Sequence, residues 1–526
     1  MSHPPADRRL LLRLAAAAAT TLWLPRSAWS LGRLQHDPFA LGVASGAPAP
    51  DSVVLWTRLQ FPEPQAGEFT LRWEVAHDEH FRRIVRSGQV QAVPALGHAV
   101  HAEVGGLEPD RWYFYRFMLG EAASPVGRTR TFPAADALPA RLRLAYASCQ
   151  RWEHGYYAAW RHLLADQPDA VMFLGDYIYE YPGALNAVRA VTGGWVRTLD
   201  EYRARYALHK SDADLRAMHA ACPWLLTWDD HEVQNDYAAL HEGTGVPLVG
   251  TVEDFAARRA AAYQAWYENM PVRASVLVQG LGGLARGAEM RIYQQLPYGR
   301  LATLYLLDGR QYRDRQPCLK DGKPGGTLVN PASCPQWVDS QRSYLGSAQE
   351  QWLDGALAAS AGRWNVIGQQ TLFGARDAQA GPGQRFWNDG WDGYARARRR
   401  LTDALQRHRV ANPVLLGGDV HENWVGHVKA DYAEAASATV GVEFCGTSIT
   451  SRASDSGVAK AAERLAENPH FVFGEARYRG YGLAEFTPQR LTTTLRAVQD
   501  ATRADSEVFT LARFEVAEGR SRVERQ

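Results

Sequence analysis

The sequence predicts an α/β domain preceded by a small all-β domain of immunoglobulin or fibronectin type, and three observations carry that prediction. A chain of 526 residues exceeds one ordinary hydrophobic core, so two or more domains are expected. From about Asp37 to Pro133, short stretches alternate apolar and polar residues between Gly, Pro and Asp turns. Beyond residue 140, helical periodicities alternate with short apolar runs, the succession of an α/β sheet. A hydrophobic content of 46% against 22% charged residues supplies apolar material for both cores and excludes a disordered chain.

Residues 1–30 precede both domains. In "DRRLLLRLAAAAATTLWLPRSAWS", Arg8 and Arg9 stand before an apolar stretch that ends in the small-residue pattern Ala28, Trp29, Ser30. This looks like a twin-arginine export signal cut near Ser30. An N-terminal membrane anchor is the other reading, but Arg13 interrupts the apolar run, and what remains is shorter than the ~20 residues a bilayer core requires. No later stretch is long and apolar enough to cross a membrane. A periplasmic or secreted location is therefore expected, with the twin-arginine translocation machinery as a partner during export.

The all-β domain is expected over 36–135. Its strand signals are "SVVLWTRL", "FTLRWEVAHD", "HAVHAEVGGL" and "RWYFYRFML", and "LEPDRWYFYRF" resembles the segment that carries a tyrosine corner. A linker follows at "PAADALPAR", where Pro, Ala and Asp replace the strand pattern. Over 140–520, helices are expected at "GYYAAWRHLLAD", "VEDFAARRAAAYQAWYENM", "SAQEQWLDGALAAS" and "YARARRRLTDALQRH". No fixed-period repeat is present.

Charge points to no partner. Lys plus Arg total 58 against 57 Asp plus Glu, without a long basic block, so no nucleic-acid groove is indicated. The cysteines are Cys149, Cys222, Cys318, Cys334 and Cys445, an odd set for an exported protein. Cys318 and Cys334 bound a Gly/Pro-rich loop and can pair after export, which still leaves at least one thiol free.

The apolar runs end in groups that bind metals or move protons. Val171, Met172, Phe173 and Leu174 read as a buried strand, Gly175 stops it, and Asp176 and Tyr179 follow three residues apart. Cys149 follows "LRLAYAS", Asp230 and His231 follow "WLLTW", and Asp419 and His421 follow "PVLLGG". Each has a structural alternative: Asp176 and Asp230 as turn or helix caps, Cys149 as a small buried hydrophobe. Strand ends in α/β sheets form the ligand crevice, so one site assembled from all of them is the more economical account. Thiolate and phenolate donors favour iron, particularly Fe(III), whereas carboxylates and amide oxygens suit calcium, magnesium or manganese.

The segments "HDPFALGVASGAPAPDSVVLWTRL", "ASCQ", "FLGDYIYEY", "LTWDDHEVQNDY", "LLDGRQYR", "WNVIGQQ", "WNDGWDGY", "GGDVHENW", "VEFCGTSITS" and "YRGYG" resemble, in this order, the blocks of the PhoD-like alkaline phosphatases. These are exported metallophosphatases distantly similar to purple acid phosphatases, and the match covers nearly the whole chain. The resemblance implies a four-layer α/β/β/α metallophosphatase sandwich whose site combines Fe(III) with one or two Ca2+ ions. It implies Cys149, Asp176, Tyr179 and His421 around iron, with Asp176 bridging toward Asp230 and Asp419 on the second-metal side. Gln370 stands where the related enzymes place a further second-metal ligand, with Gln369 as the other candidate. By the same likeness, His231 protonates the departing alkoxide or stabilises the transferring phosphoryl group. Arg310 and Arg313 are candidate phosphate clamps, Arg313 being carried as substrate-binding, and pairing with Asp308 or Asp314 is their structural alternative. Asp389 and Asp392 either extend the calcium site or belong to an aromatic wall over the pocket, the preferred reading, and Cys445 is read as core.

The expected activity is hydrolysis of a small phosphate ester by direct in-line attack of a metal-held hydroxide, without a phosphoenzyme. A diester preference, including a phospholipase D-like activity on phospholipid, is the alternative within enzymes. A non-catalytic phosphate-ester binding protein is the alternative of a different class, and the presence of His231 beside the ligands weighs against it.

Overall fold

The protein is described here from a computed structural model covering residues 36–184, 186–244, 250–284 and 289–526; the expected export signal at 1–30 lies outside the described residues. Two sheets stack face to face. The first has ten strands, with Leu142–Ala147, Ala170–Phe173 and Pro223–Leu226 parallel at its centre. On one side the antiparallel strands Arg479–Phe486, Arg490–Val498 and Val508–Ala517 continue it. The second sheet has seven strands, of which Ala302–Leu306, Trp364–Gly368, Pro413–Gly417 and Thr439–Cys445 run parallel.

The layers follow from side-chain alternation. Along Ala170–Phe173, Ala170 and Met172 face the second sheet, and Val171 and Phe173 face helices. Leu144, Met172 and Leu225 meet Leu304, Val366 and Leu416 in the inter-sheet core. Outside the first sheet pack the helices Ala158–Asp166, Leu199–Lys210, Ala213–Ala221 and Val252–Asn269, through Trp160, Tyr206, Met218 and Trp266. Outside the second pack Ser347–Ala358 and Ala395–Arg407, through Leu353 and Leu401 against Ile367 and Leu415. This is the expected α/β/β/α order, and it explains why the central strands read as unbroken apolar runs: both of their faces are covered.

Helices expected from periodicity form close to their predicted limits, for instance Val252–Asn269, which a capping box between Thr251 and Asp254 starts. Leu199–Lys210, which the periodicity does not single out, also forms. It buries Arg205, His209 and Lys210 beside Tyr202 and Tyr206, so its inward face is not apolar enough to show the usual stripe. Among the described residues no helix is long and apolar enough to cross a membrane.

The N-terminal region is all-β. Phe69–Ala76, Ile84–Ala92, Trp112–Leu119, Ala122–Ala123 and Gly127–Arg130 form a five-stranded sheet. Its Leu71, Val75, Tyr115 and Phe117 pack on Val53, Leu55 and Val100. The tyrosine corner is present, Tyr113 accepting a 2.9 Å bond at its hydroxyl from the Glu108 amide. The opposing strands Val43–Gly46, Val53–Arg58 and Ala99–Val104 do not form a separate sheet. They extend the ten-stranded one, with Ser45 and Gly46 paired in parallel to Pro223 and Trp224. Trp56 then donates through Nε1 to the Glu268 carbonyl at 2.9 Å, tying the region to helix Val252–Asn269.

Because those strands cover one side of Pro223–Leu226, a chain shortened to 136–526 would expose an apolar strand edge. We predict that it aggregates, read as loss of the monodisperse peak in gel filtration. A soluble fragment that unfolds cooperatively would show that the sheet is complete without them.

Candidate metal centre

The strands of both sheets end at one cleft. Cys149 lies two residues beyond Leu142–Ala147, Asp176 three beyond Ala170–Phe173, Asp230 four beyond Pro223–Leu226, and Asp419 two beyond Pro413–Gly417. The turns are tight. Cys149 (φ 59°), Asp176 (φ 59°), Asp419 (φ 65°) and His421 (φ 57°) all adopt the left-handed conformation, which costs a non-glycine residue about 1–3 kcal/mol and tends to cluster at functional sites. Gly418 precedes two of them because a Cβ there would stand 2.3 Å from the Ser148 hydroxyl.

Three donor groups overlap in this cleft: Cys149, Asp176 and His421; Asp176, Asp230 and His231; Asp230, Asp236 and Asp389. Within each, one ligand atom per residue lies within 4.8 Å of the others. Asp176 and Asp230 are each shared, so the groups form a continuous row. Tyr179 joins the first, its hydroxyl donating to Asp176 Oδ2 at 2.8 Å and standing 3.3 Å from His421 Nε2. Ser451 holds that hydroxyl from behind at 2.7 Å. His421 donates through Nδ1 to the Arg452 carbonyl at 3.0 Å, which leaves the Nε2 lone pair for the cleft. Burial, with Arg479 nearby, depresses its pKa to about 3, so the ring is neutral as a ligand must be.

Negative charge is in excess. Burial, with Asp389 beside it, pushes Asp236 up to about 7, and burial, with Asp230 beside it, lifts Asp419 to about 6. Asp176 is raised well above its ordinary value, mainly by burial, and Asp230 and Glu232 add to the shift. Asp176 Oδ1, Asp229 Oδ2 and Asp230 Oδ1 are buried without a hydrogen-bond partner. Unpaired carboxylate oxygens are costly in a protein interior, and cations at these positions would satisfy them. Oxygen, imidazole, thiol and phenol donors in one row therefore fit metal binding.

Other residues hold the row in place. Glu232 accepts from the amides of Asp176 (3.1 Å), Tyr177 (2.6 Å) and Asp229 (2.9 Å), joining two strand ends. Arg310, fully buried, bonds Asp229, lies 3.4 Å from Asp230 and 2.8 Å from Asp389. His231 is bonded at Nδ1 to Glu180 Oε2 (2.7 Å), its ring 4.1 Å from that of Tyr179, which turns Nε2 to the cleft. Burial alone would depress this imidazolium, but the carboxylates of Glu180, Asp176 and Asp230 override it and raise its pKa well above the ordinary value. Thr371 donates to Asp419 Oδ2 at 2.7 Å, and Asp419 lines the cavity beside the row.

One expected metal ligand, Gln370, and the expected substrate clamp, Arg313, have their side chains turned to other partners. Gln370 points away from the row: Oε1 accepts from Gly309 at 3.1 Å, and Nε2 donates to Leu307 O, Thr227 Oγ1 and Trp228 O at 2.7–3.0 Å. Gln369 is equally committed, to Thr371 and Trp391. Arg313 does not line the cavity. Its guanidinium is buried and donates to the Asp389 carbonyl (2.7 Å), the Asp389 carboxylate (2.5 Å) and the Tyr237 carbonyl (2.9 Å), so it supports the wall and has no face for a substrate. Asp389, preferred as part of the wall, joins the row instead, while Trp387, Trp391 and Asp392 do line the cavity. The sequence does not single out Asp229, Glu232 and Asp236, though the acidic run "DDHEVQND" contains them all. Cys445 is buried core as expected, and Cys318 pairs with Cys334.

The row opens into a cavity of about 620 Å³. Comparison with known proteins fits this geometry. The profile of the PhoD-like phosphatases matches residues 144–495, and that of the PhoD-like phosphatase N-terminal domain matches 26–133. The chain is 43% identical over 494 residues to alkaline phosphatase D of Bacillus subtilis (strain 168), covering 91% of this chain and 80% of that protein. It superposes on a solved structure of PhoD with a TM-score of 0.85 at 40% identity, covering 94% and 93% of the two chains.

Gln370→Ala removes partners from buried groups on two loops, and a cost of about 3 kcal/mol in urea unfolding is expected. Metal content per folded molecule should not change. A loss of metal without a loss of stability would return Gln370 to the ligand set.

Proposed function

This chain belongs to the PhoD-like phosphatase family, a family of hydrolases, and on that premise we propose that it is an exported, metal-dependent phosphoric-ester hydrolase in which water attacks phosphorus directly, in line with the leaving group. The observation that carries this reading is the row of donors sharing Asp176 and Asp230, with an oxygen of each buried and unpaired. Cys149, Asp176, Tyr179 and His421 would hold Fe(III), for which thiolate and phenolate are suited, and Asp230 and Asp419 would serve one or two Ca2+ ions with Asp176 between. Asp236 and Asp389 add carboxylates at the calcium end. Bound there, the ions supply Lewis acidity, lowering the pKa of water and offsetting charge on the phosphoryl oxygens.

The chain's own contribution is proton control. Glu180 keeps the His231 proton on Nδ1, the neighbouring carboxylates keep the ring protonated, and Nε2 is left to donate to the departing oxygen. Tyr179, packed against the ring, fixes its plane. The Thr371 hydroxyl is taken up by Asp419 and is not presented as a nucleophile. Export would remove 1–30, leaving an N-terminal β-domain over 36–135 and a catalytic domain over 140–520. The disulfide between Cys318 and Cys334 supports an oxidising compartment.

Asp176→Asn is expected to abolish turnover of an aryl phosphate and to lower both iron and calcium by elemental analysis; retained activity would sink the shared-ligand role. Cys149→Ser should lower iron more than calcium and bleach the visible absorption of the iron-loaded enzyme, whereas equal loss of both ions would make Cys149 structural. For His231→Ala we predict a fall in kcat of about 10²–10⁴-fold on an alkyl phosphate and a much smaller fall on 4-nitrophenyl phosphate, whose leaving group needs no proton. Equal losses on the two esters would exclude a proton donor.

A further inference from the structure

The cavity extends beyond the acidic row to a second cluster of opposite sign. Arg376 and Arg464, nearly ninety residues apart in sequence, both line it, together with Ser454 and Ser456. Each side chain is 15% exposed, so the guanidiniums are mostly desolvated but reachable from the cavity. They share one counter-charge: Arg376 bonds Glu422 Oε2 at 2.6 Å, and Arg464 reaches Glu422 Oε1 at 3.4 Å. Glu422 Oε2 also accepts from Trp424 Nε1 at 2.7 Å. A structural ion pair needs one arginine per carboxylate, and here a single carboxylate serves two.

Asp392, the other carboxylate bonded to the Arg376 segment, does not neutralise the surplus. The Asp392 carboxylate, which accepts the Arg376 amide at 3.1 Å, is itself paired with Arg398 at 2.6 Å. Arg464 Nε is buried with no partner. Burial, together with the Arg376 charge, holds the Arg464 pKa below its ordinary value, and the opposing pull of Glu422 and Glu463 does not cancel this. Glu422 follows His421 directly, so the arginine pair stands immediately beyond one end of the donor row. A guanidinium fork there matches a phosphate or carboxylate through two parallel bonds.

We propose that Arg376 and Arg464 form a second anion subsite of this cavity, which takes a phosphate or carboxylate carried on the leaving group of the ester hydrolysed at the acidic row. The inference rests on the hydrolase reading above and adds a substrate class to it: esters bearing two separated anionic groups, including diesters whose departing alcohol is itself phosphorylated. Arg376 and Arg464 set specificity and take no part in the chemistry at phosphorus.

The test compares butane-1,4-diol bisphosphate with butyl phosphate on the metal-loaded enzyme, following phosphate release. The wild-type enzyme should prefer the bisphosphate by about tenfold in kcat/KM, carried by KM. Arg464→Gln and Arg376→Gln should each remove most of that preference, and Arg464→Lys should restore part of it, since the charge remains and the fork is lost. Absence of a preference in the wild type, or an unchanged preference in both glutamine variants, overturns the subsite. Binding of butane-1,4-bisphosphonate against butylphosphonate, by calorimetry, separates the two readings. If neither ester is turned over, the hydrolase reading fails, yet about tenfold tighter binding of the bisphosphonate that disappears in Arg464→Gln still upholds the subsite, and equal binding overturns it.

Discussion

Carboxylates gathered at the meeting of two sheets are the constraint on which this structure depends. Asp176, Asp229, Asp230, Asp236, Asp389 and Glu232 are all buried within one region, and Arg310 is the guanidinium that touches three of them. An interior cannot hold so many like charges in bare form, because the desolvation penalty of each is several kcal/mol and their mutual repulsion adds to it. Arg310 and the amides collected by Glu232 offset part of this cost. The oxygens of Asp176 and Asp230 left without partners are the part that the protein does not offset, and cations are the ligands such oxygens select.

The architecture follows from delivering those groups to one place. Parallel strands put their carboxyl ends on the same edge, and stacking two such sheets face to face brings both edges to a common cleft. The inter-sheet core of Met172, Leu304, Val366 and Leu416 keeps the edges in register, and left-handed residues at the strand ends turn the donors inward over very few residues. Holding Cys149, Asp176, Asp419 and His421 in that conformation is a stored cost, and it persists because Glu232 accepts the Asp176 amide, Ser451 donates to the Cys149 carbonyl and the Gln370 carbonyl accepts the Gly418 amide. The N-terminal strands serve the same end less directly, covering the edge of the sheet from which Asp230 projects.

Much of this was legible in the sequence because the signals were local. A strand covered on both faces reads as an apolar run, and a donor just beyond its end reads as a strand tip, which sufficed for Cys149, Asp176, Asp230, Asp419 and His421. The continuity of the N-terminal strands with the larger sheet was not legible, since pairing of Ser45 with Pro223 joins segments far apart in the chain and leaves no local pattern. Nor was the helix Leu199–Lys210, whose buried Arg205, His209 and Lys210 obscure its inward face. Asp236 is not legible because it stands beyond a strand end by a further turn, within an acidic run where any carboxylate resembles a solvated one.

The misplaced residues share one cause. Gln370 and Arg313 carry the right chemistry and lie beside the right loops, yet identity and position do not determine which way a side chain points. Beyond a strand end the regular alternation no longer fixes where a side chain points, and the adjacent Gln369 and Gln370 both end as braces. The buried carbonyls of Leu307 and Trp228 need donors that their own strands do not provide, and an amide side chain next to the site is the group able to supply them. Arg313 meets the same demand for Asp389, whose carboxylate can stay charged only where cations flank it. A centre this dense in charge must therefore recruit polar residues to stand behind its ligands, and those residues resemble ligands in every respect that a sequence records.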